Sequence, residues 1–136
     1  ADSIDLMMQA KQAHWNVKGP QFIALHELFD KVATEATDYV DTIAERITTL
    51  GGTAEGTVRV SASKSQLSEY PLEILDGMLH VDALSTALAT YGKHVREAIN
   101  AADELNDADT ADLFTGISRG VDKNLWFVEA HLQAER

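Results

Sequence analysis

From residue 21 to residue 50 the chain contains neither glycine nor proline, and no other feature constrains its fold as strongly. Within that run the apolar residues Phe22, Leu25, Phe29, Val32, Ala36, Tyr39, Ile43, Ile47 and Leu50 recur at steps of three and four, which describes one stripe of a long helix. Gly51 and Gly52 follow as a left-handed cap. Two prolines and eight glycines punctuate the whole sequence, so the remaining blocks are also long. Residues 3–17 form a first helical block that ends at the Gly19-Pro20 turn, where Pro20 is placed to open the next helix. Leu72, Leu75, Leu79, Leu84, Leu88, Tyr91, Val95 and Ile99 mark a third long helix, weakened but not ended by Gly77 and Gly92. Past an acidic turn near Asn106, a fourth is marked by Leu113, Ile117, Val121, Leu125, Val128 and Leu132.

Residues 53–71, rich in Ser, Thr and Gly, separate the second helix from the third, and residues 65–70 are expected to form a short helical turn there. Short turns make antiparallel neighbours, whereas a crossover of about twenty residues must return along the bundle, which is the connectivity of an all-α, ferritin-like four-helix bundle. The 136 residues suit a single domain over 1–136. With no cysteine, thiolate metal sites, disulfide scaffolds and a cysteine nucleophile are excluded, and any metal must be held by nitrogen and oxygen. No apolar run is long enough to span a membrane, and the 45% apolar content is that of a globular chain. A formal charge of -11 repels nucleic acid and anionic membrane and attracts cations.

Bundles of this connectivity usually hold two metals within one subunit through Glu-x-x-His pairs. Here the residues three before His14, His26, His80, His94 and His131 are Lys11, Ile23, Gly77, Tyr91 and Val128, so that site is absent. The second helix offers instead His26-x-x-x-Asp30 and Asp41-x-x-x-Glu45, each pair one turn apart. Asp30 and Asp41 return to within about 20° of one face but lie roughly 16 Å apart along the axis, so one helix cannot bring both pairs to one cation. Two copies packed antiparallel about a two-fold axis can, giving two equivalent sites per dimer. The competing explanation of these carboxylates is a solvated acidic face.

The spaced set KQAHWNVKGP at residues 11–20, FIALHELFD at 22–30 and DTIAER at 41–46 resembles the Dps family, the DNA-binding proteins from starved cells or mini-ferritins. SEYPL at 68–72, TADLF at 110–114 and DKNLWF at 122–127 extend the resemblance over nearly the whole chain. It implies a cytoplasmic, hollow homododecamer that oxidises Fe(II), with hydrogen peroxide preferred over oxygen, at di-iron sites on two-fold interfaces. Ferric mineral would be stored inside, two irons would occupy each site, and DNA would be protected from oxidative damage. The family's ligands map onto His14, His26 and Asp30 from one subunit and onto Asp41 and Glu45 from its mate. Trp15 resembles the family's tryptophan beside the centre, with core packing as the other reading, and Trp126 reads as packing.

Asp107, Asp109 and Asp112 lie where the fourth helix begins, with Asp109 and Asp112 fitting a cap and a first-turn acid. The resemblance also makes the three acids candidates for lining a three-fold pore that admits Fe(II). His80, His94 and His131 fit no ligand pattern and read as surface or interface residues. The family's first helix is longer than the residues before His14 provide, so the first helix reads as incomplete at its N-terminus. DNA binding in the family often depends on a Lys/Arg-rich tail, whereas residues 1–12 contain only Lys11 and the chain closes Glu135-Arg136. A ferroxidase and storage shell is therefore the leading reading. A nucleoid-binding structural protein with secondary metal chemistry is the alternative, and a bundle that has lost iron turnover is a third.

Overall fold

The computed structural model describes residues 1–134, which leaves Glu135 and Arg136 outside the described residues. Helices α1 (Asp2–Asn16), α2 (Phe22–Thr49), α3 (Val58–Lys64), α4 (Gly77–Glu104) and α5 (Ala108–Glu129) are followed by a 3-10 turn at Ala130–Leu132. There is no strand among the described residues, only one parallel bridge between Lys18 and Asp76. α1 packs along α2 and α4 along α5, and the crossover carrying α3 joins the two antiparallel pairs. This is the ferritin-like, all-helical arrangement expected from the punctuation of the sequence.

Each boundary has a local cause. Gly19 at φ 118 reverses the chain after α1, and Lys18 N–H donates to the Leu75 carbonyl at 2.9 Å. α2 begins at Phe22, so Pro20 lies in the turn before the helix rather than in its first turn. Gly51 adopts φ 89 as the expected left-handed cap. Asp76 caps α4 by accepting from Met78 N–H at 3.0 Å, which starts the helix at Gly77 and leaves Leu72 and Leu75 ahead of it and exposed. Asn106, at φ 58, makes the turn before α5.

The short helix of the crossover occupies Val58–Lys64, not residues 65–70. Side chains of α1 explain the shift, because they claim the polar groups of the later segment. Ser65 Oγ donates to Asp5 at 2.6 Å, Gln66 N–H to Asp2 at 2.8 Å, and Gln9 Nε2 to the Ser68 carbonyl at 3.0 Å. Backbone bonded to a neighbouring helix is unavailable for a turn of its own.

The core runs between the four long helices through Leu6, Ala10 and Ala13 of α1 and Leu25, Phe29, Val32 and Ala36 of α2. Val81, Leu84, Leu88 and Tyr91 of α4 meet Ile117, Val121 and Val128 of α5 there. α2 is nearly twice as long as α1, and none of its residues beyond Ala36 is buried within one chain. Two readings of individual residues need correction. Trp126 is 61% exposed, so it does not pack in this bundle. His80 is not a surface residue: it is 1% exposed, on the same helical stripe as Leu84, Leu88 and Tyr91.

Burial lowers the His80 imidazole below its ordinary value of 6.5, against the opposing influence of the Ile74 carbonyl and the Asp76 carboxylate. As pH falls below about 6.5 the unfolded chain takes up a proton at this position before the folded chain does, so stability falls with pH in that window. Urea unfolding midpoints at pH 7.5 and 5.5 are expected to differ less in His80→Gln than in the native sequence. An equal pH response would remove His80 as a source of acid sensitivity.

Candidate metal centre

The Gly19 turn folds the end of α1 back against the start of α2 and so brings His14 to His26. Their rings stack with centroids 3.7 Å apart at 18°. His14 Nδ1 donates to the His26 carbonyl at 2.6 Å, and His26 Nδ1 donates to the His14 carbonyl at 2.7 Å. A carbonyl oxygen only accepts, so each Nδ1 carries a proton and the nitrogen not engaged by the backbone is Nε2. This reciprocal backbone clamp fixes the orientation of both rings without using any other side chain and leaves Nε2 of each as the candidate metal-binding nitrogen. The Phe22 ring lies against the outer face of His26, with centroids 5.0 Å apart.

Asp30, one turn along α2 from His26, receives Lys11 Nζ at 2.5 Å. The hydrogen bond from the Lys11 ammonium holds the Asp30 carboxyl below the usual carboxylate range, against the opposing effect of burial. Asp30 is thus kept as a carboxylate beside the two imidazoles. Lys11 was not among the residues expected at the site from the sequence. Its place three residues before His14 on α1 was the available signal.

Asp41 and Glu45 lie farther along α2, both exposed. The Asp41 carboxylate approaches Glu45 closely enough to raise its pKa by hydrogen bonding and repulsion. Two carboxylates that crowd one another in this way favour a cation between them. Among the described residues of one chain, however, no three His, Asp or Glu side chains converge to hold a metal. The candidate donors fall in two groups along the chain: His14 near the end of α1 with His26 and Asp30 in the first turns of α2, and Asp41 with Glu45 farther along α2.

Trp15 is 61% exposed, so its packing reading does not hold within one chain. It stands next to His14, with Phe22 and Ile23 also exposed across the turn. Asp107, rather than Asp109, caps α5: it accepts from Thr110 N–H at 3.1 Å and from Thr110 Oγ at 2.5 Å. Arg46 donates to Asp107 at 3.3 Å. The Thr110 bonds, with Arg46 as a lesser contribution, hold the Asp107 carboxyl below its usual range. Asp109 and Asp112 are exposed at the same helix start.

A helical bundle with this crossover falls in the ferritin-like class, and the ferritin-like domain model matches residues 1–136. The chain is 49% identical over 133 residues to the DNA protection during starvation protein of Agrobacterium fabrum, covering 98% of this chain and 82% of that protein. It is similar in structure to a Dps from Microbacterium arborescens in a high iron form, with a TM-score of 0.91 and 37% identity over 98% of this chain and 87% of that one. A tetragonal form of Mycobacterium smegmatis Dps gives a TM-score of 0.93 at 32% identity, over 98% and 81% of the two chains. The chain belongs to the Dps family.

Proposed function

We propose that this protein oxidises Fe(II) at sites completed between two copies of the chain and stores the ferric product inside a hollow dodecamer. The observation that carries the reading is the His14–His26 clamp, which fixes both rings by Nδ1 and leaves Nε2 of each available, in a chain where no three His, Asp or Glu side chains gather to hold a metal among the described residues. An antiparallel mate supplies Asp41 and Glu45 opposite His14, His26 and Asp30. The exposed apolar residues Trp15, Phe22 and Ile23 beside the clamp, and Ile47 and Leu50 beyond Glu45, suit the same contact.

Iron enters as substrate. Nitrogen donors suit Fe(II), and carboxylates suit the harder Fe(III) that replaces it. Two Fe(II) ions each give one electron, and hydrogen peroxide takes both electrons with two protons to leave as two waters. Oxygen is the slower oxidant in this reading, and DNA is protected because no radical is released. Trp15, adjacent to His14, is the proposed redox neighbour of the site. Asp109 and Asp112, with the capping Asp107, are the proposed acids of the entry pore, where three copies would concentrate cations. A cytoplasmic location follows from this role; among the described residues no helix is long and apolar enough to cross a membrane.

Under anaerobic conditions, substoichiometric peroxide is expected to oxidise about two Fe(II) per peroxide, far faster than buffer alone, with the ferric product remaining soluble with the protein. Oxidation no faster than buffer would refute the reading. The alternative of DNA protection by physical association is opposed by the charge of -11. Plasmid should therefore run unretarded with this chain in a low-salt gel; retardation would favour that alternative.

A further inference from the structure

We propose that Tyr70 and His80 form a proton-coupled electron-donor pair that reduces one-electron oxidants produced when peroxide meets a single Fe(II). The proposal rests on the iron-oxidation reading for its source of oxidant, not for its geometry. Tyr70 sits in the crossover and His80 in the first turns of α4, and they are 7% and 1% exposed. Their polar atoms meet at 2.6 Å, Tyr70 Oη to His80 Nδ1, and the rings lie 5.8 Å apart at 19°. Neither residue belongs to the metal-binding set.

A phenol that loses an electron becomes a strong acid and must lose its proton at once, so a buried tyrosine is an effective donor only with a base in contact. In the tautomer that carries its proton on Nε2, His80 Nδ1 accepts from the Tyr70 hydroxyl and supplies that base. When an oxidant of the hydroxyl-radical class takes one electron from Tyr70, the phenolic O–H bond breaks and its proton moves to Nδ1. A neutral tyrosyl radical and an imidazolium remain. The oxidant leaves as hydroxide, which solvent protonates to water. Burial holds the imidazole neutral at rest and Tyr70 in its phenol form, while the Ile74 carbonyl and Asp76 carboxylate favour the ring once protonated.

Among the described residues, the other two tyrosines lack this arrangement. Tyr91 bonds to the Ser3 hydroxyl at 2.7 Å, a poor base, and Tyr39 stacks on Tyr91 with no imidazole partner. The pair also adjoins the helix that carries His26 and Asp30. His80 packs 6.4 Å from Phe29, which is adjacent to Asp30 and three residues past His26 on α2. The His80 and Phe29 rings give electron transfer from Tyr70 an aromatic path as far as α2.

The first test uses the metal-free assembled protein and a photochemically generated one-electron oxidant, a ruthenium polypyridyl complex with persulfate, followed by electron paramagnetic resonance. A tyrosyl signal is expected, narrowed by ring-deuterated tyrosine, which separates it from tryptophan radicals. It should persist in Tyr39→Phe and Tyr91→Phe and vanish in Tyr70→Phe. His80→Gln, which keeps a hydrogen-bonding group but not the base, should slow its formation by about a hundredfold. In the second test, peroxide is added at one Fe(II) per site: Tyr70→Phe should leave iron oxidation unchanged while spin-trapped hydroxyl radical rises severalfold. A signal undiminished in Tyr70→Phe, or an unchanged spin-trap yield with iron oxidised normally, would overturn the proposal. Iron left unoxidised, with a Tyr70-dependent signal in the first test, would instead count against the ferroxidase reading alone.

Discussion

Replacing Asp41 and Glu45 together by alanine is expected to lower peroxide-driven Fe(II) oxidation by about a hundredfold or more, since even changes to residues that only support a metal ligand cost ten- to a hundredfold. Both side chains are exposed and neither contributes to the core, so the variant should fold and assemble as the native chain does. The loss is expected because these two acids crowd each other, an arrangement that favours a cation between them. With them removed, His14, His26 and Asp30 face a mate that offers no oxygen donor. Anaerobic stopped-flow absorbance, paired with sedimentation to verify assembly, measures the effect. An unchanged rate in an assembled variant would refute the assignment.

An isolated monomer is expected to be inactive however well it is folded. One chain carries every donor type, but α2 separates Asp30 from Asp41 by roughly 16 Å, and helix geometry does not bend to close that distance. The Asp30 half-site alone has two imidazoles and a carboxylate already matched by Lys11. Such a half-site binds one cation weakly and cannot pair two irons to share the two electrons of peroxide. Oxidation by a species that sediments as a monomer would contradict the divided site.

Much of the architecture was legible because it depends on periodicity and punctuation. The step of three and four residues along α2, and the Gly19 and Gly51 positions, are local signals that report backbone directly. The crossover was misread because its course is decided by Asp2, Asp5 and Gln9, which lie sixty residues away in sequence and compete for its backbone. The start of α4 was placed too early because leucine spacing continues ahead of the Asp76 cap. The absence of a ligand pattern says nothing of burial at His80, whose place one turn before Leu84 puts it on the buried stripe rather than at a surface or interface. At the proposed metal centre, the candidate donors rest on spacing and resemblance. Their orientation does not: the reciprocal carbonyl bonds of His14 and His26 depend on how a turn closes, and the Lys11–Asp30 pair depends on two helices meeting.

The divided site is tested most directly by co-expressing two inactive chains, one carrying His14→Ala and His26→Ala, the other Asp41→Ala and Glu45→Ala. In a mixed two-fold pair one site collects both defects and the other collects none. With random pairing of equal amounts, half the pairs are mixed, so about a quarter of the native Fe(II) oxidation activity should return. Co-assembled protein as inactive as either parent would show that each site is completed within one chain, and the central claim would be wrong.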